Sequence, residues 1–174
     1  MLFFIIIFIL IALGFWTVRH IDQRRWHRYQ LQRDLFFRQN PYVFEGDQQF
    51  EIILLSSKTI QKKLINLFMW KSSTQPHYKK VILLREPEQT QQTAAIKVML
   101  GDLTLADLEL RYAARLSHSL QDTDFQIGRP IEVLAEFLIL QSPTHVPILR
   151  IKLDLPRDPS QVLALIQATA HTRE

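Results

Sequence analysis

The hydrophobic pattern divides the chain into an apolar N-terminal segment and a longer region of mixed sequence. From Leu2 to Val18 no residue is charged, and Thr17 is the only polar residue. A segment of this length lies at the short end of the range that spans a bilayer as a helix. Trp16 falls where an interfacial aromatic residue is expected. The pattern predicts a transmembrane helix over residues 1–18.

Two other interpretations of this segment fit the pattern less well. A cleaved signal peptide needs a basic n-region and a small-x-small cleavage site, and neither precedes the first arginine. A helix in the core of a soluble domain normally has one polar face, whereas no face of residues 2–18 is polar. We therefore expect the bilayer to contact the chain through residues 2–18.

Positive charge follows the apolar segment at once and predicts its orientation. Residues 19–40 carry +4, which equals the net charge of the whole chain. They contain two aspartates and six arginines: Arg19, Arg24, Arg25, Arg28, Arg33 and Arg38. The positive-inside rule then predicts a single-pass protein of the bacterial inner (plasma) membrane with its C-terminal domain in the cytoplasm. Insertion in the opposite orientation remains an alternative.

Residues 19–40 have the pattern of a basic juxtamembrane helix that Asn40-Pro41 ends. The arginines closest to the membrane would be Arg19, Arg24, Arg25 and Arg28. One interpretation is a basic surface that attracts anionic lipid head groups. The other is a stalk whose arginines fix the topology, and the two are compatible.

The remainder alternates short apolar runs with two amphipathic stretches and predicts an α+β domain over residues 41–158. We expect a small, barrel-like, mostly antiparallel β domain with two or three helices, preceded by the transmembrane helix. A C-terminal helix over 159–174 docks on this domain or on a partner. The predicted strands are 50–55, 78–84, 94–100, 103–105, 131–140 and 147–155, and the helices are 58–71, 107–120 and 161–170.

One stretch of this region resembles the HIRAN domain. Ile82-Leu-Leu-Arg-Glu-Pro87 is followed by six polar residues, Ala94-Ala-Ile-Lys-Val98 and Gly101. The HIRAN core likewise has an apolar strand ending in Arg-Glu-Pro, a polar loop, Ala-(Ile/Val)-x-Val, a glycine, a short strand and a helix. The resemblance covers about residues 50–156 and implies a small barrel-like module that recognises DNA, single-stranded 3′ ends above all.

The chain departs from the HIRAN pattern where that family binds its ligand. The Tyr-Asp of the family's loop falls at Gln91-Gln92, and the following Asn falls at Ala94. The aromatic ring that would stack on a base and the carboxylate that would hold a terminal hydroxyl are both absent. Thr104 also replaces a glycine that many members have. Since stacking contributes roughly 1–3 kcal/mol per base, we expect a weakened single-strand site.

A basic stretch is the main candidate binding surface. No acidic residue lies between Ile52 and Arg85, while Glu86 to Glu136 hold nine acids against four bases. The candidate residues for a nucleic acid or an acidic partner are Lys58, Lys62, Lys63, Lys71, Lys79, Lys80 and Arg85. They could follow a phosphate backbone or contact the bilayer. Alternatively, the first three are only the solvated face of a helix.

The sequence offers no catalytic or metal-binding pattern. It has no cysteine, and its six histidines are scattered without the spacing of a zinc site. It also lacks a glycine-rich phosphate loop and a Gly-x-Ser-x-Gly motif. We expect no enzyme activity, no catalytic residues, no metal, no cofactor and no small-molecule substrate.

These observations predict a membrane-anchored, non-catalytic binding module that holds nucleic acid or a protein partner near the membrane. The alternative is an accessory or assembly subunit of a larger membrane complex, which acts through protein–protein contacts. Nucleic-acid binding predicts an affinity that falls steeply with salt and depends on the lysines.

Overall fold

In the computed structural model the chain divides into two compact units, Met1–Gln39 and Asn40–Glu174. The structure describes the backbone of residues 2–68, 75–85, 95–140 and 147–171, with the side chains of residues 1–12 and 167–171 left out.

The first unit is one uninterrupted α-helix. This helix, α1, runs from Leu2 to Gln39 over 38 residues, so it is about 57 Å long at 1.5 Å per residue. Among the described residues, no helix is both long enough and apolar enough to cross a membrane. Residues 1–12 make up two thirds of the predicted span over residues 1–18, and their side chains are not among those described. The transmembrane helix stays a prediction.

The second unit has an α+β fold, which confirms the predicted class. Its described residues form one curled sheet that makes half a barrel, with strand order β2-β7-β6-β3-β4-β5 and β1 added beside β6. The strands are β1 (Tyr42–Val43), β2 (Ile52–Leu54), β3 (His77–Arg85), β4 (Ile96–Leu100), β5 (Leu103–Asp107), β6 (Ile131–Leu140) and β7 (Ile148–Leu153). The helices are α2 (Lys58–Leu67), α3 (Leu110–Ser119) and α4 (Gln161–His171), with a 3-10 turn at Asp124–Ile127.

Strand β6 organises the sheet. It pairs with β3 along one edge, while β1 and β7 share its other edge at opposite ends. Only the two-residue pairing of β1 with β6 is parallel among the described strand pairs. The residues of β6 alternate between buried and half-buried along its whole length. One face of the sheet therefore carries the core, as strand periodicity requires.

The core lies between that face and the three helices of the unit. Leu64 of α2, Leu116 of α3 and Val162 of α4 are fully buried within the same cluster as Val133 and Phe137 of β6. The C-terminal helix thus docks on its own domain. This was one of the two alternatives that the sequence left open.

Most predicted elements are present, with shifted bounds. The first strand is shorter than predicted, and α2 ends at Leu67. Helix α3 begins at Leu110, because Asp107 still belongs to β5 and pairs with Lys97. The sequence did not predict β1 or the 3-10 turn, since both are too short to show a periodicity.

Candidate binding surfaces

The predicted helix lysines lie on one exposed side of α2. Ser57 caps the helix, and its hydroxyl accepts a hydrogen bond from the Ile60 N–H at 3.3 Å. Leu64 and Ile65 face the core, which turns Lys58, Lys62 and Lys63 toward solvent. None of the three lysines forms an ion pair with a described residue.

Lys79 and Lys80 point to opposite faces of β3, because adjacent strand residues alternate. The Lys79 ammonium lies 5.5 Å from the ring centroid of Phe68, the C-cap residue that directly follows α2. The Lys80 ammonium instead lies 2.6 Å from a carboxylate oxygen of Glu132. The fold therefore places Lys79 beside the C-terminal end of α2 and leaves Lys80 on the other side of the sheet. We call Lys58, Lys62, Lys63 and Lys79 the α2 lysine surface.

The two remaining candidates of the basic stretch, Arg85 and Lys71, are not included in this surface. Arg85 is buried, with 6% of its surface exposed. One terminal nitrogen of its guanidinium donates to the Gln126 carbonyl at 2.9 Å, while its buried Nε has no partner. This contact ties β3 to the 3-10 turn. Lys71 lies outside the described residues.

The four arginines that are predicted to lie near the membrane are exposed along α1. Arg19, Arg24, Arg25 and Arg28 form no ion pair with any described residue. Arg33 differs from them, because its guanidinium lies 2.9 Å from Asp34 and 5.8 Å from the ring centroid of Phe37. The arginines of α1 that have no acidic partner among the described residues thus lie mainly in residues 19–28.

A buried carboxylate that sequence reasoning missed organises the loop between β1 and β2. Asp154 is 3% exposed, and its carboxylate accepts hydrogen bonds from backbone N–H groups of Gln48 and Phe50. The Gln49 N–H also lies near this carboxylate and donates to Asp47 at 3.2 Å. Burial raises the pKa of Asp154 above its ordinary value, although these hydrogen bonds act in the opposite direction. Gly46 lies so close to the carboxyl group that an added Cβ would overlap it.

This loop also contains unusual backbone conformations. Gln48 and Phe50 have φ angles of 62° and 49°, in the left-handed region that non-glycine residues rarely adopt. Such residues each cost roughly 1–2 kcal/mol. Hydrogen bonds from the loop backbone to the Asp154 carboxylate act against this cost. No short-range pattern links Asp154 to residues a hundred positions earlier, so the sequence alone could not indicate this contact.

Few side chains in the described part of the chain are placed for catalysis or for binding a small ligand. A cavity of about 290 Å³ is lined by the loop and by Lys80, Glu132 and Asp154. The charged groups of all three already bond to protein atoms. Within the described ranges, no three His, Asp or Glu side chains are placed to hold a metal ion. The expectation that the chain is not an enzyme stays a prediction.

Gln91-Gln92, which correspond to the Tyr-Asp of the HIRAN ligand loop, lie outside the described residues. Thr104 lies on β5 opposite Met99. Comparison of the chain with known protein families, with curated proteins and with solved structures finds no match. The resemblance therefore stays a prediction.

Proposed function

We propose that this chain is a membrane-anchored, non-catalytic binding module that faces the cytoplasm and holds a polyanionic partner through the α2 lysine surface. The observation that supports the proposal best is the contrast between two sets of lysines. Those of the α2 lysine surface have no carboxylate partner among the described residues, whereas Lys80 and Lys152 pair with Glu132 and Glu136.

The spacing of the helix lysines also favours a bound anion. Lys58 and Lys62 are one turn apart on α2, and like charges at this spacing destabilise a helix by a few tenths of a kcal/mol. Phosphate groups beside the helix would remove this repulsion and release counterions. Single-stranded nucleic acid is the partner to test first, because its backbone presents phosphates at every nucleotide.

The test is a salt titration of single-stranded DNA binding to the full chain in detergent micelles. Four lysine–phosphate contacts predict a slope of log affinity against log salt of about −2.8. This corresponds to a loss of roughly 50-fold between 50 and 200 mM salt. The double substitution Lys62→Gln/Lys63→Gln should halve the slope.

Lys80→Gln/Lys152→Gln is the matched control, because it removes the same charge from the paired lysines on the other face of the sheet. Binding that is independent of salt, or equally weakened by both double variants, would contradict the proposal.

A second function is favoured by the apolar exposure at the β2 edge of the sheet. Ile53 is 56% exposed, and Leu55, directly after the strand, is 87% exposed. Exposed apolar side chains at a sheet edge are typical of a protein–protein contact. An assembly subunit of this kind would tolerate Lys62→Gln/Lys63→Gln and would lose its complex on Ile53→Lys/Leu55→Lys.

A further inference from the structure

The four arginines that follow the predicted span do not all lie on one face of α1. At 100° per residue, Arg24, Arg28 and Arg25 lie about 140°, 180° and 240° around the helix from Arg19. The exposed side chains Ile21 and Trp26 lie about 200° and 340° from the same origin. Ile21 therefore lies within the arc of about 100° that Arg24, Arg28 and Arg25 share, and Trp26 lies beside Arg19 on the other side, so cationic and apolar residues are not segregated.

This distribution discriminates between two ways in which a basic helix contacts a membrane. A helix that lies in the plane of the membrane needs its cations on one face and its apolar residues on the opposite face. A helix that stands upright is surrounded by lipid head groups and can use cations on every side. The mixed circumference of residues 19–28 fits the upright arrangement.

The height of each arginine follows from the continuity of α1, which is helical from Leu2 to Gln39. Measured along the axis from Val18, Arg19 lies at about 1.5 Å, Arg25 at about 10 Å and Arg28 at about 15 Å. Arg38 lies at about 30 Å. Each head-group layer is only about 5–8 Å thick. Helical side chains lean toward the N-terminus, here toward the bilayer, and long cationic side chains extend back to the interface.

We propose that Arg19, Arg24, Arg25 and Arg28 form a collar around an upright α1 and bind the phosphate groups of anionic lipids. Arg33 and Arg38 lie beyond reach of these lipids. Arg33 is moreover engaged with Asp34 and Phe37. This inference rests on the proposed membrane anchor and adds to it a lipid class and a boundary along the helix.

The test uses Trp16, which lies three residues before the collar. Trp26→Phe/Trp70→Phe leaves Trp16 as the only tryptophan of the full chain. The chain is reconstituted in phosphatidylcholine vesicles that contain a minor fraction of phosphatidylglycerol. Quenching of Trp16 fluorescence is then compared between vesicles with brominated phosphatidylglycerol and vesicles with brominated phosphatidylcholine.

We expect anionic lipid to be enriched around Trp16 by at least about fivefold, the equivalent of one arginine at an anionic surface. Substituting the whole collar with glutamine should abolish this enrichment. Arg33→Gln/Arg38→Gln should leave it unchanged.

The outcomes separate the collar from the anchor. Strong quenching without preference for the anionic lipid would overturn the collar and keep the anchor. An equal loss in the Arg33→Gln/Arg38→Gln control would overturn the boundary and favour a helix lying along the surface. No quenching of Trp16 by either lipid would contradict the anchor itself.

Discussion

At the scale of single residues, the Gln61 side chain forms hydrogen bonds with two neighbouring strands of the sheet just beyond their last backbone pair. Its amide nitrogen donates to the Ser56 carbonyl at 2.9 Å, and its amide oxygen accepts from the Leu149 N–H at 3.2 Å. Strand β2 ends at Leu54, opposite Ile151. The Gln61 amide therefore bridges the two strands at the point where their backbones stop pairing.

We expect Gln61→Ala to lower the free energy of unfolding by about 1–3 kcal/mol, because two partly buried backbone groups lose their partner. Urea unfolding of the detergent-solubilised chain measures the change. Asn66→Ala is the control, since Asn66 is an exposed amide on the same helix and its substitution should change stability by less than about 0.5 kcal/mol. Equal effects of the two substitutions would show that the bridge contributes nothing.

At the scale of elements, the loop between β1 and β2 depends on a residue that follows β7. The Asp154 carboxylate accepts hydrogen bonds from backbone N–H groups of this loop, and the Asp154 N–H donates to the Leu134 carbonyl at 2.9 Å. Asp154 therefore connects this loop to β6, at the position between β1 and β7. The arrangement also requires glycine at position 46, where a side chain would displace the carboxylate.

The raised pKa of Asp154 predicts a pH dependence of stability. Between the ordinary pKa of 3.8 and the raised value in the folded state, the native protein binds more protons than the unfolded chain. The free energy of unfolding therefore decreases as pH rises through this window. Asp154→Asn removes the titrating group and should remove this component.

Urea unfolding of both proteins from pH 3.5 upward measures the difference. Other charged groups near the carboxyl, namely Asp47, Lys80 and Glu132, are present in both proteins. Asp158 contributes a pH dependence of stability with the opposite sign, because hydrogen bonds from Ser160 lower its pKa. Asp158 is also present in both proteins. A constant difference between the two proteins across this range would contradict the prediction.

Local patterns predicted the elements well where periodicity extends over several residues. Strand β6 matches its predicted bounds of residues 131–140, and the burial of its side chains alternates strictly. Asp107 was misplaced, because a carboxylate before an apolar run is typical of a helix start, whereas here the pairing with Lys97 keeps it in β5. Glu109 precedes α3 without a side-chain capping bond. Tertiary pairing outweighed the local signal.

At the scale of the whole molecule, the lysine surface could be predicted only in part. Sequence proximity grouped seven basic residues, and the fold selects among them by the direction of each side chain. Lys79 lies beside the C-terminal end of α2, Lys80 lies on the opposite face of the sheet, and Arg85 is buried. The packing of β3 on the core decides these directions, and composition contains no information about them.

The predicted topology follows from the asymmetric charge around the first helix. Reporters fused after Glu174 should be active in the cytoplasm, because six arginines follow the apolar segment within residues 19–40. Substituting Arg19, Arg24, Arg25 and Arg28 with glutamine leaves residues 19–40 with two arginines and two aspartates, hence no net charge. A fraction of the molecules should then insert in the opposite orientation.

Arg33→Gln/Arg38→Gln is the control for this experiment, because it leaves +2 in residues 19–40 and keeps every arginine near the membrane. We expect it to preserve the cytoplasmic orientation. If the unaltered chain instead placed its C-terminus outside the cytoplasm, nucleic acid would no longer be a candidate partner. The α2 lysine surface would then have to bind an acidic protein or another polyanion of the cell envelope.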